Sequence, residues 1–249
     1  GSNKLQVLIV AAGYDTLTWR LALEYPDVNF IELDHPATGR AKINALRNVC
    51  SKRTKEENIK NDTVVVSAHN SAQIPQSLYF CHKAVNEEST SLKQALANDL
   101  VNSHSGRNET SALQYNIPTA VVVEGLTFYL TEEENRSLFQ QLGDLFGCQG
   151  SIVAFNFFNL DSYGRPTNPN TQKKALFSSF VTTFMKYKVK VFGEPFKWGI
   201  EPDKLPSFFH ETGWRLIPST LPFATFGDDL DYTVMMGIEY EATVEWIAQ

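Results

Sequence analysis

A turn of very small residues, Ala11-Ala12-Gly13, directly follows an apolar run at residues 7–10. Where side chains are this small, the backbone can turn sharply and a ligand can lie directly against it. A second apolar run ends at Asp34, about twenty residues after the turn, as in nucleotide-binding folds. A carboxylate at such a strand end can accept hydrogen bonds from both hydroxyls of a ribose. The two features together predict nucleoside binding, and an enzyme with a nucleoside-containing cofactor is the first hypothesis.

The elements around these residues must be a strand, a tight turn, a helix and a second strand. Residues 7–10 are continuously apolar, as in a strand that is buried on both faces of a parallel sheet. Asp15-Thr16 offers a cap for the helix that follows. Residues 28–33 form the second strand, and Glu32 shares the face parity of Asp34 because strand side chains alternate. This order is typical of an α/β sheet.

The middle of the chain continues the α/β pattern. Residues 36–49 are predicted to form a helix that packs on the sheet, with Lys42 on its charged flank. The charged residues 51–62 are interpreted as a solvated linker, and residues 63–67 are predicted to be the third strand. Residues 92–101 are predicted to be helical.

A fourth strand is predicted over residues 118–124, ending at Glu124 and followed by Gly125. Ligands bind at the carboxyl ends of strands in open α/β sheets, so Glu124 and Tyr129 are predicted to face a pocket. Glu124 could also cap the following helix, and the two roles are compatible.

The next two elements follow from local signals. Thr131 and Glu134 have the spacing of a capping box, and an amphipathic helix is predicted over residues 138–146. Residues 151–158 are predicted to be the fifth strand, from which Asn156 would open toward the pocket.

Three blocks of the sequence, at residues 11–21, 32–36 and 123–130, resemble the signature blocks of the leucine carboxyl methyltransferase family. They read Ala-Ala-Gly-Tyr-Asp-Thr-Leu-Thr-Trp-Arg-Leu, Glu-Leu-Asp-His-Pro and Val-Glu-Gly-Leu-Thr-Phe-Tyr-Leu. The resemblance implies S-adenosylmethionine as methyl donor and S-adenosylhomocysteine as product. It also implies a Rossmann-like class I methyltransferase fold, an α/β fold with a mostly parallel twisted sheet, an antiparallel last strand and helices on both faces.

The resemblance also assigns site residues. Tyr129 and His69 are the candidates for a catalytic role, although a lone loop histidine commonly has none. Ala11 stands where the family has its first glycine, a change that is mild if the backbone dihedrals remain ordinary. His69 and Asn70 depart from the family's acidic residue but can still hydrogen-bond an adenine ring. The predicted cofactor-binding residues are Ala11, Ala12, Gly13, Asp15, Asp34, His35, His69, Asn70, Glu124 and Gly125.

The methyl acceptor is predicted to be a small hydroxyl or carboxyl metabolite. Ser71 stands where the resemblance places an arginine that holds a protein carboxylate, and a hydroxyl cannot replace a bidentate arginine. A protein carboxyl terminus and a modified nucleotide are the alternative acceptors. A non-catalytic methyltransferase-like relic is the alternative from another class.

Composition restricts the class of protein. With 249 residues and 43% hydrophobic residues, the chain is predicted to be one methyltransferase domain over residues 1–249. A net charge of −6 offers no surface for a nucleic-acid backbone. Cys50, Cys81 and Cys148 lack metal-site spacing, which predicts no metal and a cytoplasmic location. No apolar run has membrane-spanning length.

Gly1-Ser2 is interpreted as the remnant of a cleaved tag. In the family, a helical segment before the first strand supplies basic groups for the methionine carboxylate. We expect that segment to be missing here. Loss of a charge-assisted contact worth about 1.5–3 kcal/mol would weaken cofactor binding.

Overall fold

The computed structural model describes residues 5–59, 75, 77–82, 91–98, 100–102, 113–115, 117–158, 196–217 and 239–247. The chain divides into two compact units, Gly1–Thr119 and Ala120–Gln249. That residues 1–249 act as one domain stays a prediction.

The first unit alternates strands and helices. Its strands follow the order β4-β3-β2-β1 across the sheet; β1, β2 and β3 are parallel, and β4 is antiparallel to β3. The carboxyl ends of β1 and β2 therefore lie at one edge, with Val10 opposite Leu33. The elements are β1 at Gln6–Val10, α1 at Leu17–Glu24, β2 at Asn29–Asp34, α2 at Pro36–Ile59, β3 at Leu78–His82, α3 at Leu92–Asn98 and β4 at Leu100–Asn102.

The core of the first unit joins the sheet to α1 and α2. Ala22 of α1 and Ile43 and Leu46 of α2 pack with Phe30 and Phe80 of the strands. Full burial of such a large apolar side chain is worth about 1.5–3 kcal/mol. This packing fixes both helices against β2, where the first candidate residues lie.

Two helix predictions in the first unit are wrong at their ends. α2 continues to Ile59 where a solvated linker was predicted from residue 51, because the Lys, Arg and Glu residues of this segment are good helix formers. α3 ends at Asn98, and Leu100–Asn102 instead pairs with β3. Pairing with a neighbouring strand overrode the local helical pattern.

The strand next to β2 was missed by the sequence prediction. Leu78–His82 pairs in parallel with β2, with Phe80 opposite Glu32. The strand predicted at residues 63–67 lies outside the described residues. The apolar run Leu78-Tyr-Phe was the available signal.

The second unit has a parallel pair of strands followed by an antiparallel pair. Its order is β5-β6-β8-β7; β5 and β6 are parallel, and β8 is antiparallel to both β6 and β7. The predicted antiparallel last strand is confirmed. The elements are β5 at Thr119–Val123, α4 at Glu132–Phe146, β6 at Ile152–Phe158, α5 at Leu205–His210, β7 at Trp214–Ile217 and β8 at Glu239–Trp246, with a 3-10 turn at Thr127–Tyr129.

Helix α4 is capped and packed as its sequence indicates. Thr131 and Glu134 form the predicted capping box, with each side chain accepting from the other residue's backbone N–H. Phe139 of α4 is fully buried and meets the ring of Phe209 edge-on at 4.7 Å between centroids. A Cβ added at Gly143 would lie 2.5 Å from the Trp246 ring, so this glycine permits the close approach of β8 to α4.

Candidate functional site

The first glycine turn, residues 11–16, connects β1 to α1 and is tied to β2 by its backbone. The amides of Ala11 and Ala12 both donate to the carbonyl oxygen of Leu33, at 2.8 and 3.4 Å. Ala11 has φ +58°, so the condition under which alanine would be a mild change at this position is not met. A left-handed conformation costs a residue with a Cβ roughly 1–2 kcal/mol. The bonds to β2 hold Ala11 in this conformation.

Gly13 and Asp34 meet at the tip of this turn. Gly13 has φ +54°, and its amide donates to Oδ2 of Asp34. Oδ1 of Asp34 accepts from the His35 amide at 2.5 Å. An ionised carboxylate offers about four lone-pair positions, so Asp34 keeps acceptor capacity for further donors. A Cβ added at Gly13 would meet no atom of the described residues within 4 Å, so this part of the structure leaves open space over the turn.

Two of the predicted cofactor residues contact the beginnings of helices. Oδ1 of Asp15 accepts from the Leu17 amide at 3.0 Å, whereas Thr16, at the N-cap, makes no side-chain cap bond. Nδ1 of His35 accepts from the Ala37 amide at 3.2 Å, at the start of α2. The predicted cap of α1 is confirmed through Asp15. Any contact of Asp15 or His35 with a ligand stays a prediction.

A buried charge pair lies behind the first glycine turn. Nζ of Lys42 is 2.6 Å from Oε2 of Glu32, and the two side chains are 4% and 3% exposed. Oγ1 of Thr18 in α1 donates to Oε1 of Glu32. Burial raises the pKa of Glu32 to about 7, although Lys42 acts to lower it. Lys42 was predicted on a charged flank, and that prediction is wrong because Glu32 provides a buried partner.

The second glycine turn, residues 124–126, follows β5 in the other unit. Gly125 has φ +69°, and its amide donates to Oδ1 of Asn156 at 2.9 Å. Asn156 is 6% exposed, so the prediction that it opens toward a pocket is wrong. A buried amide that accepts a backbone hydrogen bond is held within the fold. Sequence analysis missed this role because the partner, Gly125, lies in the turn after another strand.

Buried hydrogen bonds extend this arrangement into the 3-10 turn. Oγ1 of Thr127 donates to the carbonyl oxygen of Asn156 at 2.5 Å. Nδ2 of Asn135 in α4 donates to the carbonyl oxygens of Thr127 at 2.9 Å and of Thr131 at 3.0 Å. The segment between β5 and α4 is thus fixed by both β6 and α4.

Glu124 and Tyr129 both belong to this fixed segment. Glu124 is exposed directly after β5, and Tyr129 is half-buried at the end of the 3-10 turn. The Tyr129 ring lies 4.8 Å from that of Phe128 and 5.5 Å from that of Phe196, between centroids. Thr131 and Glu134, rather than Glu124, cap α4. The roles predicted for Glu124, Gly125 and Tyr129 toward ligands stay predictions.

The first unit therefore brings Ala11, Ala12, Gly13 and Asp34 together at one strand edge. His69 and Asn70 lie outside the described residues. Within the described ranges, no group of three His, Cys, Asp or Glu residues could hold a metal ion. No helix in the same ranges is long and apolar enough to cross a membrane.

Comparisons with known proteins agree with this geometry. The sequence profile described as leucine carboxyl methyltransferase matches residues 2–143. No curated protein sequence matches significantly.

Three solved structures have a similar fold. TnmH is 11% identical over 99% of this chain and 51% of its own, with a TM-score of 0.51. The mitomycin 7-O-methyltransferase MmcR is 8% identical over 99% of this chain and 50% of its own, with a TM-score of 0.50. LepI in its complex with SAM is 8% identical over 99% of this chain and 44% of its own, with a TM-score of 0.50. The chain thus spans about half the length of these structures. At such identities the likeness shows the fold, which is the Rossmann-like fold of class I methyltransferases.

Proposed function

The chain belongs to the leucine carboxyl methyltransferase family, and on that premise we propose that it is an S-adenosylmethionine-dependent O-methyltransferase. The observation that carries the proposal is the first glycine turn with Asp34 at its tip. Gly13 leaves open space, and Asp34 keeps acceptor positions beside its bonds to Gly13 and His35. These features fit a ribose whose two hydroxyls donate to Asp34.

The donor would contribute a methyl group carried on a positively charged sulfur. The residues of this chain would bind and orient the two reactants. Transfer to an oxygen is an in-line displacement, in which much of the acceleration comes from holding the nucleophile near the methyl group. Ala11, Ala12, Gly13, Asp15, Asp34 and His35 of the first unit, with His69, Asn70, Glu124 and Gly125, are the proposed cofactor-binding residues.

The proposed acceptor is a small hydroxyl or carboxyl metabolite. Ser71 in place of an arginine supports this choice over a protein carboxyl terminus. MmcR, a fold neighbour, is a mitomycin 7-O-methyltransferase, which supports a small acceptor only at the level of the fold. A carboxylate acceptor is already ionised at pH 7, whereas a hydroxyl benefits from a base; Tyr129 and His69 are the proposed candidates. The three cysteines lie far apart in the sequence, which supports a cytoplasmic location.

Isothermal titration with S-adenosylmethionine and with S-adenosylhomocysteine tests cofactor binding without needing the acceptor. We expect micromolar binding, weakened at least about tenfold in Asp34→Ala, which corresponds to about 1.4 kcal/mol. Asp27→Ala is the matched control, because Asp27 is an exposed carboxylate of the same unit, and it should bind as the wild type does. Absence of heat with both ligands in the wild type would contradict the proposal.

The acceptor is tested by transfer of a labelled methyl group. The panel contains small phenols, alcohols and carboxylic acids, together with a peptide that has a free leucine carboxyl terminus. Label in a small molecule supports the proposed acceptor. Label in the peptide alone would assign the chain to protein carboxyl methylation.

A further inference from the structure

Three consecutive residues of β2 hold the first glycine turn and the start of α1 at three points. The carbonyl oxygen of Leu33 receives the amides at the start of the turn. The carboxylate of Asp34 receives the amide of Gly13 at its tip. The carboxylate of Glu32 receives the hydroxyl of Thr18, in the first turn of α1. One edge of a single strand thus fixes the beginning and the tip of the turn and the start of the helix that follows it.

The carboxylate of Glu32, which makes the third contact, is paired with a charge from another helix. Glu32 is 2% exposed, and an isolated carboxylate at such a depth takes up a proton rather than staying charged. Nζ of Lys42 in α2, at 2.6 Å, supplies the opposite charge. The Lys42 side chain is itself 4% exposed, so both charges of the pair are shielded from water. It joins α2, β2 and α1 directly behind the turn.

We propose that Lys42, Glu32 and Thr18 are positioning residues of the site that binds the methyl donor. The buried pair holds the start of α1 in place, so the Gly13 amide stays hydrogen-bonded to Asp34. They touch neither donor nor acceptor. Their action is to keep Gly13 and Asp34 in the relative position that a ribose requires. Naming the donor as the ligand rests on the proposed function, whereas the coupling to Gly13 does not.

The first test measures amide hydrogen exchange by NMR in the full chain without ligand. The amide of Gly13 reports on the turn, Ile31 in β2 reports on the stability of the unit, and Gly125 reports on the other unit.

Lys42→Met removes the charge and keeps the length of the side chain. Glu32→Met with Lys42→Met removes both charges, a change that folded proteins commonly tolerate. Thr18→Val removes only the hydroxyl, and Arg40→Met is the control on the exposed side of α2.

We expect Gly13 exchange to rise at least about tenfold relative to Ile31 in the double variant and in Thr18→Val. Gly125 exchange should stay within about twofold, and Arg40→Met should match the wild type throughout. If Lys42→Met fails to fold, the double variant and Thr18→Val still test the positioning role. Wild-type Gly13 exchange in both of these folded variants would overturn the proposal and leave the pair a purely structural one.

The second test is titration of the same variants with S-adenosylhomocysteine. Binding at least about tenfold weaker in the double variant than in the wild type supports the proposal, and Lys42→Arg, which keeps the charge, should bind more tightly than Lys42→Met. Equal binding in wild type and double variant overturns it. If the wild type binds neither S-adenosylmethionine nor S-adenosylhomocysteine but the variants show the exchange effect, the proposed function is refuted and the positioning role is supported.

Discussion

The two glycine turns place a backbone amide in the same way but use different chemistry to hold it. Gly13 and Gly125 both have positive φ, and each amide donates to a side chain on another strand of its own unit. Asp34 offers a charged, half-buried carboxylate, whereas Asn156 offers a neutral, buried amide oxygen. A half-buried carboxylate retains acceptor positions that a ligand can reach. The comparison teaches that Asp34 can accept a ligand as well as hold the first turn, whereas Asn156 serves to hold the second turn in shape.

The two units also differ in how they use charge pairs. The first unit buries the pair of Lys42 and Glu32 at 2.6 Å. In the second unit, Lys197 and Glu134 are 3.8 Å apart, with more than a third of each side chain exposed. A buried pair is costly to break from one side, whereas an exposed pair contributes little. The first unit should therefore depend on its charges far more strongly.

The largest expected effect comes from breaking the buried pair. Lys42→Met should lower the free energy of unfolding by about 3–5 kcal/mol at pH 8, because it leaves a buried carboxylate without its partner. The loss should be smaller at pH 6, where Glu32 can take up a proton. Urea denaturation measures both values. Lys197→Met is the matched control and should cost less than about 1 kcal/mol; equal losses in the two variants would remove the contrast between the units.

The pH dependence of stability should also come from the first unit. The pKa of Glu32 is raised from 4.5 to about 7 in the folded chain, so between these values the folded state holds a proton that the unfolded state has released. The free energy of unfolding therefore falls as pH rises from 4.5 to 7, by up to about 3 kcal/mol from this group. Denaturation curves across this range measure the slope. Glu32→Gln should flatten it, and a slope unchanged by that substitution would assign the effect to other groups.

A carboxylate in place of the amide at position 156 should lower the free energy of unfolding. Asn156→Asp would place a carboxylate where the side chain is buried, and we expect a loss of about 2–3 kcal/mol at pH 8. At pH 4 the new carboxyl is protonated and the loss should shrink. Thermal and urea unfolding at the two pH values measure the difference. A pH-independent loss would mean that hydrogen bonding, rather than charge, distinguishes the turns.

A smaller, stabilising effect is expected at Ala11. Ala11→Gly removes the cost of a left-handed conformation but adds freedom to the unfolded chain, for a net gain of about 0.5–1 kcal/mol. Ala12 lacks a positive φ, so Ala12→Gly should instead lose about 1 kcal/mol. Unfolding free energies of the two variants should therefore move in opposite directions. A loss in both would show that Ala11 is not strained.

The smallest stability effect is expected from the reciprocal exchange at the first turn. Asp34→Asn keeps one acceptor oxygen for the Gly13 amide and loses only the exposed bond from the His35 amide, so the free energy of unfolding should fall by no more than about 0.5 kcal/mol. Binding of S-adenosylhomocysteine should nevertheless weaken, because the charge is lost. Titration and denaturation of the same variant separate the two effects. A large loss of stability with unchanged binding would reverse the roles assigned to the two turns.

Local signals were sufficient for much of the fold. The apolar runs of β1 and β5 are continuous in the sequence, those of β2 and β6 are broken only by Glu32 and Asn156, and the capping box at Thr131 and Glu134 is read from spacing alone. The first glycine turn was found in the same way, from small residues and an acidic strand end. Leu78–His82 was missed because a strand is defined by its neighbours as much as by its composition. Asn156 was misassigned because its partner, Gly125, lies on a different element.

By itself, the sequence determined the strand and turn pattern, the position of Gly13 and Asp34, and the family. These features depend on residue types within a few positions of one another, and side-chain size and polarity decide them. Only the tertiary structure decided that Ala11 adopts a left-handed conformation and that Lys42 is buried. The hydrogen bond to Leu33 imposes the first, and Glu32 compensates the second. Both come from partners that local patterns do not reveal, since burial of a charge depends on a partner that folding brings within reach.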